Sequence, residues 1–214
     1  MKDIIQKEFD LLILHYPALR VCRDSIRAAY QLLSSCYHTK GLIMVCGNGG
    51  SAADAEHIVG ELMKGFKMKR PLNSEKRLLI QSAFPDDSEF LSVNLQQAIP
   101  AISLVSQMSF STAFINDVNA EMVFAQSVLG YGKPGDVLIG LSTTGNSRNV
   151  VNACKVAKAL GIQTIGFTGS TESRLSEICD VTIRVPAMDI YRIQELHQPV
   201  YHALCAMLEA DAFG

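Results

Sequence analysis

One unit recurs along this chain and constrains its fold more than any other feature: a short apolar run, a cluster of glycine, serine and threonine, then a helical stretch. The first copy is Leu42-Ile43-Met44-Val45-Cys46, then Gly47-Asn48-Gly49-Gly50-Ser51, then helical spacing to about Lys64. The second is Val137-Leu138-Ile139-Gly140-Leu141, then Ser142-Thr143-Thr144-Gly145-Asn146-Ser147, then a helix to about Leu160. The third runs Thr164-Ile165-Gly166-Phe167, Thr168-Gly169-Ser170-Thr171, with a helix near Ser173–Cys179. Val181–Val185 reads as a closing strand and Ala101–Val105 as another between the first two copies. Continuous apolar strands alternating with helices predict a parallel sheet covered on both faces. The expected strands are 42–46, 101–105, 137–141, 163–167 and 181–185. Right-handed crossovers bring all the strand-to-helix loops to one sheet edge, where open α/β sheets bind ligands.

Residues 1–38 contain no glycine, and their apolar positions recur at helical spacing on either side of Pro17. Two helices are expected, with an apolar stripe wide enough that part of it faces another subunit. The organisation is then an N-terminal helical pair at 1–38, used for oligomerisation, and one α/β domain at 39–214. Residues 72–98 read as a polar excursion from the sheet, a lid or an interface arm.

The net charge of −2 and the scatter of basic residues give no nucleic-acid-binding surface. The densest group, Lys64, Lys67, Lys69 and Arg70, reads as a solvated helix end. No apolar run reaches the roughly 18 residues of a membrane span. Six cysteines are present and no two have CxxC spacing. With no apolar stretch directly after Met1-Lys2-Asp3, the expectation is a soluble protein of the reducing cytoplasm.

The loops at 47–51 and 142–147 each follow a buried strand and open a helix. Unpaired N–H groups at a helix N-terminus, glycines that admit a ligand to the backbone, and hydroxyl donors together suit a phosphate. Ser51 and Ser147 are also readable as plain N-caps. Neither loop is a nucleotide P-loop, because no Gly-Lys-Ser/Thr follows, and neither is GxGxxG. A monophosphate is the simpler ligand.

His57 and Glu61 are four apart on the helix that the first loop opens, and so share a face. Near the C-terminus, Gln194 and His202 are eight apart and share a broad face, with His197 pointing elsewhere. A carboxylate and an imidazole can serve as general base and acid near neutral pH. The four side chains could equally bind a metal through nitrogen and oxygen. A His/Glu pair on a solvated helix and a hydrogen-bonded core histidine are the plainer alternatives. Pro199, between Gln194 and His202, is expected to kink the helix.

Taken in order, several pieces resemble the sugar isomerase (SIS) domain, and within it the phosphoheptose isomerase family. They are Gly47–Ser51 with Asp54, His57 and Glu61; Arg70-Pro71; Asn116-Asp117; Gly135–Leu138; Ser142–Ser147; and Arg192–Glu195 with His197 and His202. The resemblance covers most of residues 40–208. It implies a flavodoxin-like, doubly wound five-stranded sheet, a homotetramer with active sites at subunit interfaces, and conversion of sedoheptulose 7-phosphate to D-glycero-D-manno-heptose 7-phosphate through an enediol. It further implies Glu61 as base, His202 as acid, and zinc on His57, Glu61, Gln194 and His202. Asn48, Gly49, Gly50, Ser51, Asn116, Asp117, Ser142, Thr143, Thr144, Ser147 and Gln194 would contact the sugar phosphate. A non-catalytic SIS protein that binds a sugar phosphate or a protein partner as a regulator is the alternative. The regulator type lacks the helix glutamate, whereas Glu61 is present here. Ala52-Ala53 and the long 72–98 segment depart from the family pattern.

Overall fold

The structure, a computed structural model, describes residues 3–214. Its centre is a five-stranded, all-parallel sheet in the order β2-β1-β3-β4-β5. The strands are β1 (Ile43–Gly47), β2 (Ala101–Ser103), β3 (Val137–Leu141), β4 (Gln163–Thr168) and β5 (Val181–Arg184). This is the flavodoxin-like order that the family resemblance implies. Ile43 of β1 stands opposite both Ala101 and Val137, which sets the register of the middle of the sheet. β2 ends two residues sooner than expected, because the Val105 amide turns to the Ser103 hydroxyl (3.3 Å).

Alternate side chains of the buried strands serve two cores. Ile43 and Val45 of β1, Ile139 of β3 and Phe167 of β4 join one cluster, while Met44, Cys46 and Leu138 join the other. The first face is covered by α2 (Arg23–His38), α3 (Gly50–Met63) and the long α10 (Ile190–Phe213), with α1 (Asp3–His15) packed against α10. The second is covered by α7 (Val123–Tyr131), α8 (Arg148–Ala159) and the short α9 (Arg174–Ile178). A 3-10 turn at Pro17–Cys22 joins α1 to α2, as Pro17 predicts. No helix among the described residues is long and apolar enough to cross a membrane.

Much of the apolar stripe of residues 3–38 is spent within the chain: Ile5, Phe9 and Leu12 of α1, and Ile26, Ala29, Leu33 and Cys36 of α2, are buried in the first core, while Ile4 and Leu14 stay exposed. One expectation needs correction. The 72–98 excursion is not simply polar. It is a helical hairpin of α4 (Ser74–Ala83) and α5 (Ser88–Asn94), tied at its base by a Pro71–Gln96 bridge and by the Gln97 amide on the Arg70 carbonyl (2.7 Å). Leu78, Leu79, Phe84, Phe90 and Val93 on it are 60–71% exposed. Helical periodicity placed on a unit with no core of its own leaves its apolar face outward.

Candidate active site

The sheet order turns between β1 and β3. The chain leaves β1 for α3 on one face and leaves β3 for the next helix, α8, on the other. The crevice between their C-terminal ends is therefore flanked by the loops 47–51 and 142–147. The loops touch: the side-chain amides of Asn48 and Asn149 exchange two hydrogen bonds, each 2.9 Å. Asn149 escaped the sequence reading, and only its place in the first turn after Ser147 hinted at it.

Neither serine is a simple cap. Gly49, at φ +56°, is the N-cap of α3, and Ser51 lies inside the helix, buried. Ser147 is the N-cap residue of α8 but makes no side-chain cap; its hydroxyl meets that of Ser142 at 2.9 Å. Neither N-cap residue makes a side-chain cap, although at α3 the Ser51 and Ala52 amides turn to the Asn48 and Gly49 carbonyls (both 3.0 Å); a helix N-terminus at the crevice is the property wanted of an anion site. Gly145 holds the second loop at φ +68°, and a Cβ there would collide with the Ser173 side chain. Thr143 accepts from the Gly169 amide (2.9 Å) through its carbonyl, and the exposed Thr144 hydroxyl accepts from the Asn146 amide (3.2 Å). Gly50 lies directly beneath the Gln194 amide, which would occupy the place of a Cβ.

Along the crevice wall α3 and α10 run together, and α10 is unbroken through Pro199. The lost bond would have gone to the carbonyl of exposed Glu195, where water can replace it. The helix pair brings Glu61 Oε1 to 3.2 Å from His57 Nε2, and His202 Nε2 to 3.4 Å from the same nitrogen. The His57 and His202 rings meet edge to face at 4.9 Å, and Phe66 lies against His202. Lys64 pairs with Glu61 Oε2 at 3.2 Å. Burial, seconded by the neighbouring His57, lowers the pKa of His202, with Glu61 opposing.

Behind this cluster stands a residue the sequence did not flag. The Tyr201 hydroxyl lies 3.1 Å from Asp54 Oδ1 and 3.1 Å from His57 Nδ1. Burial raises the pKa of Asp54, against the hydrogen bond from Tyr201 and the charge of His57. Burial and the Asp54 carboxylate push the Tyr201 phenol well above its usual range. A second support is the Arg70–Glu209 pair. Arg70 also donates to the carbonyls of Leu62 (2.7 Å) and Glu61 (3.1 Å), the last turn of α3. Glu209 accepts from the amides of Phe66, Lys67 and Met68.

Not every expected residue is brought in. Asn116 and Asp117 lie at the exposed C-terminal end of α6 (Met108–Asp117), bonded to each other at 2.8 Å. Among the described residues no hydrogen bond joins them to either loop. His197 is fully buried behind the site, against Phe167, with Nε2 on the Thr168 carbonyl at 3.3 Å.

Among the described residues no group of three or more His, Cys, Asp or Glu is gathered as a ready metal cage. The pair distances at His57 nevertheless suit a shared ion. A tetrahedral zinc with bonds of about 2.1 Å spaces its ligand atoms about 3.4 Å apart, and the two contacts are 3.2 and 3.4 Å. The donors, two imidazole nitrogens and a carboxylate, are those zinc accepts.

A phosphate-type crevice at a switch point, walled by a carboxylate and two histidines, defines a sugar-phosphate domain of the SIS class. SIS domain models match residues 19–94 and 101–210. Named phosphoheptose isomerases are similar over nearly the whole chain. That of Akkermansia muciniphila is 34% identical over 195 residues, 91% of this chain and 84% of the relative. That of Helicobacter pylori is 36% identical over 97% of this chain and 95% of the relative. Among solved structures, the phosphoheptose isomerase of Francisella tularensis superposes with a TM-score of 0.76 at 27% identity, covering 97% of both chains. That of Neisseria gonorrhoeae gives 0.73 at 29%, over 96% of this chain and 97% of the other. The chain belongs to the phosphoheptose isomerase family of SIS domain proteins.

Proposed function

We propose that this protein is an aldose–ketose isomerase that converts sedoheptulose 7-phosphate to D-glycero-D-manno-heptose 7-phosphate for heptose biosynthesis. The observation that carries this function is the convergence of Glu61 and His202 on His57, from helices separated by most of the chain. A regulator has no need of an acid and a base at one point. In this reaction the phosphate rests on the two loops, with Asn48, Gly49, Gly50, Ser51, Ser142, Thr143, Thr144 and Ser147 around it, and Gln194 serves the sugar. Glu61 takes a proton from C1 of the open-chain ketose and returns it to C2. His202 gives a proton to the carbonyl oxygen at C2 and takes one from the C1 hydroxyl. The protons balance, and the carbonyl moves from C2 to C1.

The proposal includes zinc on His57, Glu61, Gln194 and His202, supported by the donor types and the spacing at His57. When bound, the ion supplies Lewis-acid polarisation of the sugar oxygens. It also includes a homotetramer in the cytoplasm. The apolar face of the α4–α5 hairpin and the six free thiols support these two points. Incubating the purified chain with sedoheptulose 7-phosphate, with and without added zinc, and following the new aldose anomeric signals by NMR tests the function. Turnover is expected; none in either condition would reject it.

A further inference from the structure

The Tyr201 hydroxyl stands between Asp54 and His57, and its single proton decides how His57 presents itself. A hydroxyl donates once and can accept twice, an ionised carboxylate only accepts, and a neutral imidazole donates from one nitrogen and accepts at the other. Tyr201 lies 3.1 Å from Asp54 Oδ1 and 3.1 Å from His57 Nδ1. If its proton serves Asp54, the His57 contact survives only when Nδ1 carries a hydrogen and donates to the phenol oxygen. Nε2 is then bare, and it is the nitrogen that faces Glu61 Oε1 and His202 Nε2. The opposite polarity would require Asp54 to hold a proton. The contact to Asp54 is instead one in which the Tyr201 O–H donates to Oδ1.

We propose that Asp54 and Tyr201 are positioning residues: together they hold His57 in the Nδ1–H tautomer and aim a bare Nε2 at the point where Glu61 and His202 meet. The ring is also held sterically, packed edge to face on Tyr201 at 5.5 Å and on His202 at 4.9 Å. The bare Nε2 and the Glu61 carboxylate are then two acceptors side by side, which calls for an electrophile between them: a proton carried by His202 or shared with the reacting sugar, or a cation. This consequence for catalysis rests on the isomerase function proposed above; the tautomer itself does not.

The test uses the full chain with 15N-labelled histidine, dialysed against a chelator so that no ion holds the ring, at pH 8. Long-range proton–nitrogen correlation spectra distinguish a pyrrole-like from a pyridine-like ring nitrogen. His57 is expected to show Nδ1 protonated and Nε2 bare in the wild type, and to lose that preference in Tyr201→Phe and in Asp54→Ala. A wild-type His57 protonated at Nε2, or either folded variant with an unchanged tautomer, would overturn the proposal. If Tyr201→Phe does not fold, Asp54→Ala carries the comparison, with circular dichroism as the check. On the protein as purified, loss of such a supporting hydrogen bond is expected to lower kcat by roughly 10- to 100-fold with KM for the sugar phosphate little changed. A rise in KM at unchanged kcat would overturn the positioning role. Wild-type protein with the expected tautomer but no turnover would reject the isomerase function and leave the relay standing.

Discussion

Arg70 and Glu209 form an ion pair sealed from water: Nε and Oε1 are 2.7 Å apart and the two side chains are 0% and 1% exposed. The pair is tied further to the backbone: Arg70 donates to the carbonyls of Leu62 and Glu61, and Glu209 accepts from the amides of residues 66–68. Removing one partner leaves the other charged, buried and unpaired. Glu209→Ala or Arg70→Ala is expected to destabilise the chain by about 3–5 kcal/mol, read by urea unfolding. A loss under about 1 kcal/mol would show that the pair does not lock the end of α3.

Glu61 is held by that lock through its carbonyl, with Oε1 toward His57. Glu61→Gln keeps the shape and removes the base. A fall in kcat of roughly 100- to 10,000-fold is expected, with binding of sedoheptulose 7-phosphate retained by calorimetry. Wild-type turnover in the variant would exclude Glu61 as the base.

The Ser142 and Ser147 hydroxyls meet at 2.9 Å beside the uncapped N-terminus of α8. Ser142→Ala removes one neutral donor to a phosphate. Sugar-phosphate affinity should drop by about 0.5–1.5 kcal/mol, or roughly 2- to 12-fold, more if the bond is charge-assisted. Unchanged affinity in both Ser142→Ala and Ser147→Ala would move the phosphate away from this loop.

Gly50 and Gly60 lie on the same helix and should respond oppositely. A Cβ on Gly50 meets the Gln194 amide, whereas one on Gly60 meets nothing within 4 Å. Gly60→Ala should stabilise by about 0.5–1 kcal/mol through backbone entropy alone. Gly50→Ala should displace Gln194 and lower kcat/KM. Equal stability gains with full activity in both would mean that Gln194 is free to move.

His197 supplies a pH dependence. Burial lowers its pKa to about 4, against the hydrogen bond to Thr168, from 6.5 in the open chain. The unfolded state therefore binds the proton first, and stability falls as pH drops from about 6.5 to about 4, then levels for this group. The span corresponds to about 3 kcal/mol. His197→Gln should flatten that part of the stability–pH curve; an unaltered slope would assign the acid sensitivity elsewhere.

Much of this protein was legible one residue at a time. Runs such as Leu42–Cys46 and Val137–Leu141 must be buried strands, because an unbroken apolar run can be covered only from both sides. Gly/Ser/Thr clusters after them mark helix openings, and His57 four residues before Glu61 shares its helix face. The strands, their parallel run and the loops at one edge follow from local pattern and crossover handedness, and the sheet order from the resemblance to the SIS domain.

Other features needed the tertiary structure, because they are contacts between segments whose periodicity carries no record of the partner. A wide apolar stripe on α1 and α2 reads the same whatever covers it, and only the packing shows that Ile5, Phe9 and Leu12 lie in a core shared with α10 while Ile4 and Leu14 stay exposed. Residues 72–98 read as a polar excursion until the hairpin is seen to carry Leu78, Phe90 and their neighbours exposed on one unit. A tyrosine on an apolar helix face reads as core, and only the packing of α3 on α10 sets the Tyr201 hydroxyl between Asp54 and His57. Sequence alone determined which chemical groups line each element. Distance, and with it which lone pair faces which, was decided by the way two helices separated by most of the chain lie side by side.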